Sequence, residues 1–368
     1  MNTTIDINSI DIQNLPQPTK ASIVSAHYKQ SAEDFIVNEI LNIDFSEEGE
    51  HLWLYIEKRG MNTTFVANAL ADWANISRRD VGYSGLKDRH AITRQWFSLR
   101  LPKRQLPATS FTLDEPEKSE YAKVLDTHWH NKKLNRGTHK YNEFILTLRD
   151  VMGDKQQIEA QLTHIAKHGV PNYFGEQRFG IAGRNIAQAL EWFEHGTING
   201  RPSHGKKNRD TQSILLSAAR SLIFNQILAA RIVNDTWQTG MDGDAFNLNG
   251  SGSIFATECM DETLKQRLAE GDIHPTAVMW GKNNDKVQGS VKDLEQHIVA
   301  SSELLTRLAN GIENQGIKAS RRALRLPLTK LTWQWQDDST KTNETLLVLN
   351  FCLPTGSYAT SVLSALIK

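Results

Sequence analysis

The stretch Val81–Trp96, VGYSGLKDRHAITRQW, gathers the residues with the greatest chemical reach in the chain. Asp88 stands between Lys87 and Arg89, with His90 next. A carboxylate between two cations has its charged form favoured, so it is expected to be an anion at neutral pH. Such an anion is suited to act as a nucleophile rather than as a proton donor. Gly82 and Gly85 bracket Tyr83 and Ser84, so the chain reaches the aspartate through a tight loop rather than regular structure. On local composition alone the same residues also describe a solvated, charged turn.

The elements that must position this loop can be read around it. In EHLWLYIEKRG, Leu52, Leu54 and Ile56 alternate with Trp53, Tyr55 and Glu57, which marks a strand covered on both faces. A helix follows through Phe65, Leu70 and Trp73 towards Ile76, with Thr63 or Thr64 as its expected cap. After the Asp88 loop, QWFSLRLP reads as another strand. Strand, helix, loop and strand in this order are expected to set Asp88 at the edge of a sheet, where loops line clefts. Upstream, SAEDFIVNEI places Phe35 and Val37 on one face of a strand, with Lys29 just before it. Downstream, Asn142 and Phe144 open the strand FILTLRDV, and GDKQQIEAQLTHIAKHG is an amphipathic helix stopped by Gly169.

From Gly169 and Pro171 to about Lys318 helical segments dominate, among them GRNIAQALEWFEH and the long Thr211–Val233 run. After Lys318 strand patterning returns, and TWQWQ is expected to pair with LLVLNF as a hairpin, LLVLNF being apolar enough for a central strand. Two strand-rich ends thus enclose a helical middle, and residues 1–20, with Pro16 and Pro18, read as a flexible lead.

Composition narrows the class of protein. The chain has 368 residues, enough for two domains, and its 39% hydrophobic and 23% charged content is that of a soluble globular protein. No apolar run approaches the roughly 20 residues of a membrane span, and the polar N-terminus has no signal-peptide core. Cys259 and Cys352 are the two cysteines, too few to staple the chain and without metal-ligand spacing, so the expected compartment is the cytoplasm. Net charge is zero, from 42 basic and 42 acidic residues, yet RPSHGKKNRD (Arg201–Asp210) and IKASRRALRLPLTK (Ile317–Lys330) are locally basic. Docking on folded RNA needs a basic face rather than a basic total. His128 and His130 share a strand face, but no further ligands lie nearby, so metal binding is not expected and an RNA-facing strand is the better reading.

Five stretches, in order, resemble one family. GYSGLKDRHAITRQW is similar to the aspartate motif of the TruD family of tRNA pseudouridine synthases. KQSAEDFIVNE (Lys29–Glu39), GTHKYNEFILTLR (Gly137–Arg149), GVPNYFGEQRFG (Gly169–Gly180) and LPTGSYATSVL (Leu353–Leu363) match further motifs of the same family. The resemblance implies Asp88 as nucleophile and no cofactor or metal. It implies Phe35, Asn142, Phe144 and Tyr358 as groups that hold the uracil, and tRNA as partner, with uridine 13 of the D arm as the target. Tyr358 stands where the family often has Phe. Lys29 could approach Asp88 and keep it ionised.

The resemblance also implies an α+β architecture. It has a pseudouridine-synthase-like catalytic domain with a mixed, largely antiparallel sheet, built from 21–168 and 319–368, and an inserted α/β TRUD domain at 169–318. No heptad seam argues for a dimer, so a monomer is expected. Two other classes fit the residues less well: a non-catalytic RNA-binding protein, and a carboxylate glycosidase. The second would need another acid opposite Asp88, for which Glu33 or Glu39 could serve.

Overall fold

The computed structural model describes residues 14–203, 208–284, 286–337 and 345–368. Most of the expected N-terminal lead, the centre of the RPSHGKKNRD run and most of the polar segment after TWQWQ lie outside the described residues. The chain divides into two compact units. One takes Ser22–Ala166, Leu328–Ala359 and Ile367–Lys368; the other takes the residues up to Ala21, Lys167–Pro327 and Thr360–Leu366.

The unit that carries Asp88 is built on a ten-stranded sheet. Its strands are β1 (Ile23–His27), β2 (Phe35–Ile40), β3 (His51–Arg59), β4 (Val81–Tyr83), β5 (Ile92–Arg100), β6 (Thr112–Glu115), β7 (Glu120–His130), β8 (Tyr141–Gly153), Thr329–Asp337 and Thr345–Pro354. The order runs Thr329–Asp337, Thr345–Pro354, β8, β2, β5, β3, β7, β6, with β1 pairing β8 and β4 pairing β5. β2 and β5 are parallel and the other pairings are antiparallel, so the sheet is mixed and largely antiparallel. The expected hairpin forms, and Thr345–Pro354 is interior as its apolar run requires. One expectation is corrected: the loop holding Asp88 feeds β5, and β5 lies inside the sheet between β2 and β3 rather than at an edge.

Strand alternation decides what shares a face. The registers Val37↔Thr93, Val37↔Phe144, Glu39↔Asn142, Lys58↔Thr93 and Ile56↔Gln95 put these residues on one side. Helix α1 (Thr63–Trp73) covers part of that side, burying Val66, Ala67, Leu70 and Ala71 against Leu54, Ile56, Phe97 and Leu99. The opposite side carries a polar chain: Arg94 donates to Glu57 (2.7 Å) and Asn38 (3.0 Å), and Asn38 donates to Glu143 (2.8 Å). Helix α2 (Lys155–His168) buries Ile158, Leu162 and Ile165 as its spacing requires. The helix cap is a second correction. Asn62, not Thr63 or Thr64, occupies the N-cap of α1: its backbone is extended and Thr63 is already the first helical residue, and no side-chain capping bond is made.

The second unit is organised on the helix Arg209–Val233, packed by Arg184–His195 and Glu303–Asn314 and by a four-stranded sheet that includes Ala245–Leu248 and Ile273–Met279. That helix is long and apolar enough to cross a membrane, but 61% of its apolar window is buried. It is the core helix of the unit, with Ala218, Leu222, Phe224 and Leu228 inside. Asn225 donates to the Phe174 carbonyl and accepts its N–H, both at 2.9 Å, which fixes the NYFGEQRFG stretch to the core.

Candidate active site

Because β4 pairs antiparallel with β5, residues 84–91 run back over the start of β5 on the Lys58–Thr93 side of the sheet. Three groups on that side hold the loop down. Thr63 Oγ1 donates to Gln95 Oε1 (2.9 Å) and accepts the Lys87 backbone N–H (3.0 Å). Gln95 Nε2 donates to the Gly85 carbonyl (3.1 Å). Lys58 Nζ, fully buried, donates to the carbonyls of Met61 (2.7 Å) and Asp88 (2.8 Å). Burial pulls the Lys58 amine down to about 8, while the Asp88 charge pulls the other way.

The Asp88 carboxylate itself faces outward, with 44% of its side chain exposed. Its ion-pair partner is Lys29, at 3.5 Å. Lys29 has a left-handed backbone (φ 59°), a conformation uncommon for a residue with a Cβ. Its ammonium also lies 3.8 Å over the Phe35 ring, so one cation touches the acid and an aromatic face together. The parallel β2–β5 pairing explains the meeting, since it sets the start of β2 beside the start of β5.

The cations expected to flank Asp88 do not serve it. Arg89 turns away to the Gly60 carbonyl (2.8 Å) and Glu120 (2.9 Å). Lys87 turns into the sheet and pairs with buried Glu39 (2.9 Å) while donating to Asn142 Oδ1 (2.7 Å). Consecutive side chains in an extended loop point to opposite sides, so neighbours in sequence are poor neighbours in space. Burial pushes the Glu39 carboxyl above the usual carboxylate range, against the pull of Lys87.

Asn142 is 8% exposed and is also bonded through Nδ2 to His139 Nε2 (3.2 Å). His139 Nδ1 meets Ser84 Oγ, which accepts the His139 backbone N–H (2.9 Å). Burial, helped by Lys87, lowers the His139 imidazole to about 4 and keeps it neutral.

Phe35 and Phe144 are both packed, as core residues would be. They meet edge to face at 6.1 Å, and Phe144 stacks on Phe351 at 5.6 Å. Tyr358 is more open, 36% exposed, immediately before the helix Ala359–Leu366. The structure therefore joins Asp88, Lys29, Phe35 and Phe144 in one contact chain and ties Asn142 to the residue before Asp88. Of the acids that a glycosidase would need, Glu39 is sealed against Lys87 and Glu33 pairs with Arg59 at 3.0 Å.

Sequence reasoning did not single out Lys58, Gln95 or His139, and it read Thr63 only as a helix cap. Lys58 left a signal: it continues the buried alternation Leu52, Leu54, Ile56, where a lysine is out of place unless it has polar partners. His128 stacks on Phe45 at 4.3 Å and meets the carboxylates of Glu47 at 2.6 Å and Asp126 at 3.2 Å. Among the described residues no group of three or more His, Cys, Asp or Glu is arranged to hold a metal ion.

A Methanosarcina mazei protein assigned to tRNA pseudouridine synthase D (TruD) and solved by crystallography shares the fold, with TM-score 0.68 and 22% identity over 95% of both chains. The family model for tRNA pseudouridine synthase D (TruD) matches residues 19–190 and 202–366. Proteins named tRNA pseudouridine synthase D are similar along almost the whole chain. That of Psychrobacter arcticus is 52% identical, covering 97% of this chain and 94% of its own. That of Xanthomonas campestris pv. campestris strain 8004 is 45% identical, covering 95% and 93%. The chain belongs to the TruD family of tRNA pseudouridine synthases.

Proposed function

We propose that this protein isomerises uridine 13 in the D arm of tRNA to pseudouridine, with Asp88 as the nucleophile. The observation that carries the reading is the outward Asp88 carboxylate, paired with Lys29 while its own backbone is pinned by buried Lys58. The reaction breaks the bond between uracil N1 and ribose C1′, turns the base, and joins C5 to C1′ with loss of the C5 proton. A carboxylate can begin it by attack at C1′ or at uracil C6, and either route closes without oxidant, reductant or phosphate chemistry. The reading therefore requires no cofactor and no metal, and a monomer suffices for it.

The target base must leave its stack, at a cost of a few kcal/mol. Stacking on an aromatic face offsets roughly 1–3 kcal/mol of that. Phe35, Phe144 and the more open Tyr358 ring are the aromatic groups assigned to this task, and Asn142 is assigned to the uracil edge. Tritium release from tRNA labelled at uridine C5 tests the reading, with wild type beside Asp88→Asn. Release by wild type alone supports it. Release by both moves the nucleophile elsewhere, and release by neither, with tRNA still bound, turns the reading to a non-catalytic RNA-binding protein.

A further inference from the structure

The buried amide of Asn142 is gripped from both sides. Lys87 Nζ has donors only, so the atom 2.7 Å from it must be the amide oxygen. On the other side, His139 Nε2 lies 3.2 Å from Nδ2. A neutral imidazole with its proton on Nδ1, facing Ser84 Oγ, presents a bare Nε2 that accepts from Nδ2. Both partners are themselves anchored. Lys87 is paired with Glu39, whose other oxygen accepts the Trp96 backbone N–H at 3.2 Å. The ring of His139 is fixed by Ser84, and its backbone N–H donates to the same hydroxyl. The amide cannot rotate by half a turn without setting donor against donor at Lys87 and acceptor against acceptor at His139.

One lone pair of Oδ1 and one hydrogen of Nδ2 are left over. In the orientation set by Lys87 and His139, that pair matches a uracil edge: Oδ1 accepts from N3–H and Nδ2 donates to a flanking carbonyl. With the base held in the same placement, cytosine offers a bare N3 and an amino group instead, which suit only the rotated amide. We propose that Lys87 and His139 are positioning residues that lock the Asn142 amide in the sense that reads uracil and rejects cytosine. This rests on the assignment of Asn142 to the target base, and it adds a reason why the residue before the aspartate is a lysine turned inward.

The test uses the Asp88→Asn protein, to separate binding from reaction, and two tRNA transcripts that differ by uridine or cytidine at position 13. A bidentate amide contact is expected to favour the uridine transcript by about 10-fold or more. Adding Lys87→Met or His139→Leu is expected to bring the ratio close to one, chiefly by weakening the uridine transcript. His139→Gln, which restores an acceptor, is expected to keep the preference.

Equal weakening of both transcripts would show a merely structural role and overturn the proposal, as would an unchanged ratio. Should Lys87→Met not fold, the two His139 variants carry the comparison alone. A starting protein with no preference, alongside wild-type tritium release that depends on Asp88, overturns the lock while leaving the proposed function standing. Absence of that release overturns both.

Discussion

The ammonium of Lys58, fully buried on β3, donates 2.8 Å to the backbone carbonyl of Asp88 and 2.7 Å to that of Met61. The aspartate is thus placed through its main chain from below, while its carboxylate stays open above. Removing the ammonium leaves two carbonyls unpaired, each at a cost of about 1–3 kcal/mol. Lys58→Met is expected to lower kcat by about 10- to 100-fold, because small displacements of a reacting group are costly. Single-turnover rates and tRNA affinity measured together check this; equal losses in both would refute a positioning role.

The same lysine gives a pH dependence. Its amine titrates near 8 in the folded chain and near 10.5 when free. Below pH 8 both states carry the charge, and between 8 and 10.5 only the unfolded chain does. The unfolded chain then binds more protons, so this group's contribution to stability rises with pH across that window. Activity is expected to move the other way, falling as the cation beneath Asp88 is lost. The alkaline limb of the rate should disappear in Lys58→Arg if that variant retains activity, and pH–rate profiles of the two proteins decide it.

His139 gives a stability change of the same sense in an acid window. Its folded value near 4 lies below the free value of 6.5. As pH falls from 6.5 towards 4 the unfolded chain takes the proton first, so stability present above 6.5 is lost. The full loss is on the order of 3 kcal/mol. Urea unfolding at pH 7.5 and pH 4.5 is expected to show a smaller acid loss in His139→Gln than in wild type.

Lys29 touches both Asp88 and Phe35 but is partly exposed. An exposed pair contributes about 0–1 kcal/mol to stability and is screened by salt. Lys29→Met is therefore expected to leave the melting temperature within a degree or two while lowering kcat about 10-fold at low salt. A melting temperature that fell with kcat would make Lys29 a structural residue instead.

In the helical unit, Arg231 and Asp244 form an ion pair at 2.6 Å with both side chains buried, and Asp244 also accepts the Met241 N–H at 3.0 Å. Asp244→Leu strands a buried guanidinium, so destabilisation of about 3–5 kcal/mol is expected. Thermal melts check the loss, and a change below 1 kcal/mol would contradict it.

The sequence alone determined the parts that depend on local order. Alternation in EHLWLYIEKRG and LLVLNF revealed strands, the spacing of Ile158, Leu162 and Ile165 revealed α2, and five ordered motifs carried the family. These are legible because period and motif are properties of a few consecutive residues. Which charge meets which was decided only by the tertiary structure. Lys87 and Arg89 are one bond from Asp88 in the chain, yet they serve Glu39, Asn142 and Glu120. The cations that reach the aspartate, Lys29 and Lys58, come from 59 and 30 residues away. The parallel pairing of β2 with β5, and the return of the loop over the face of β3, bring them there. A charge acts over a few ångströms of space whatever its distance along the chain, so the sheet register, not the sequence neighbours, set the electrostatics of this site.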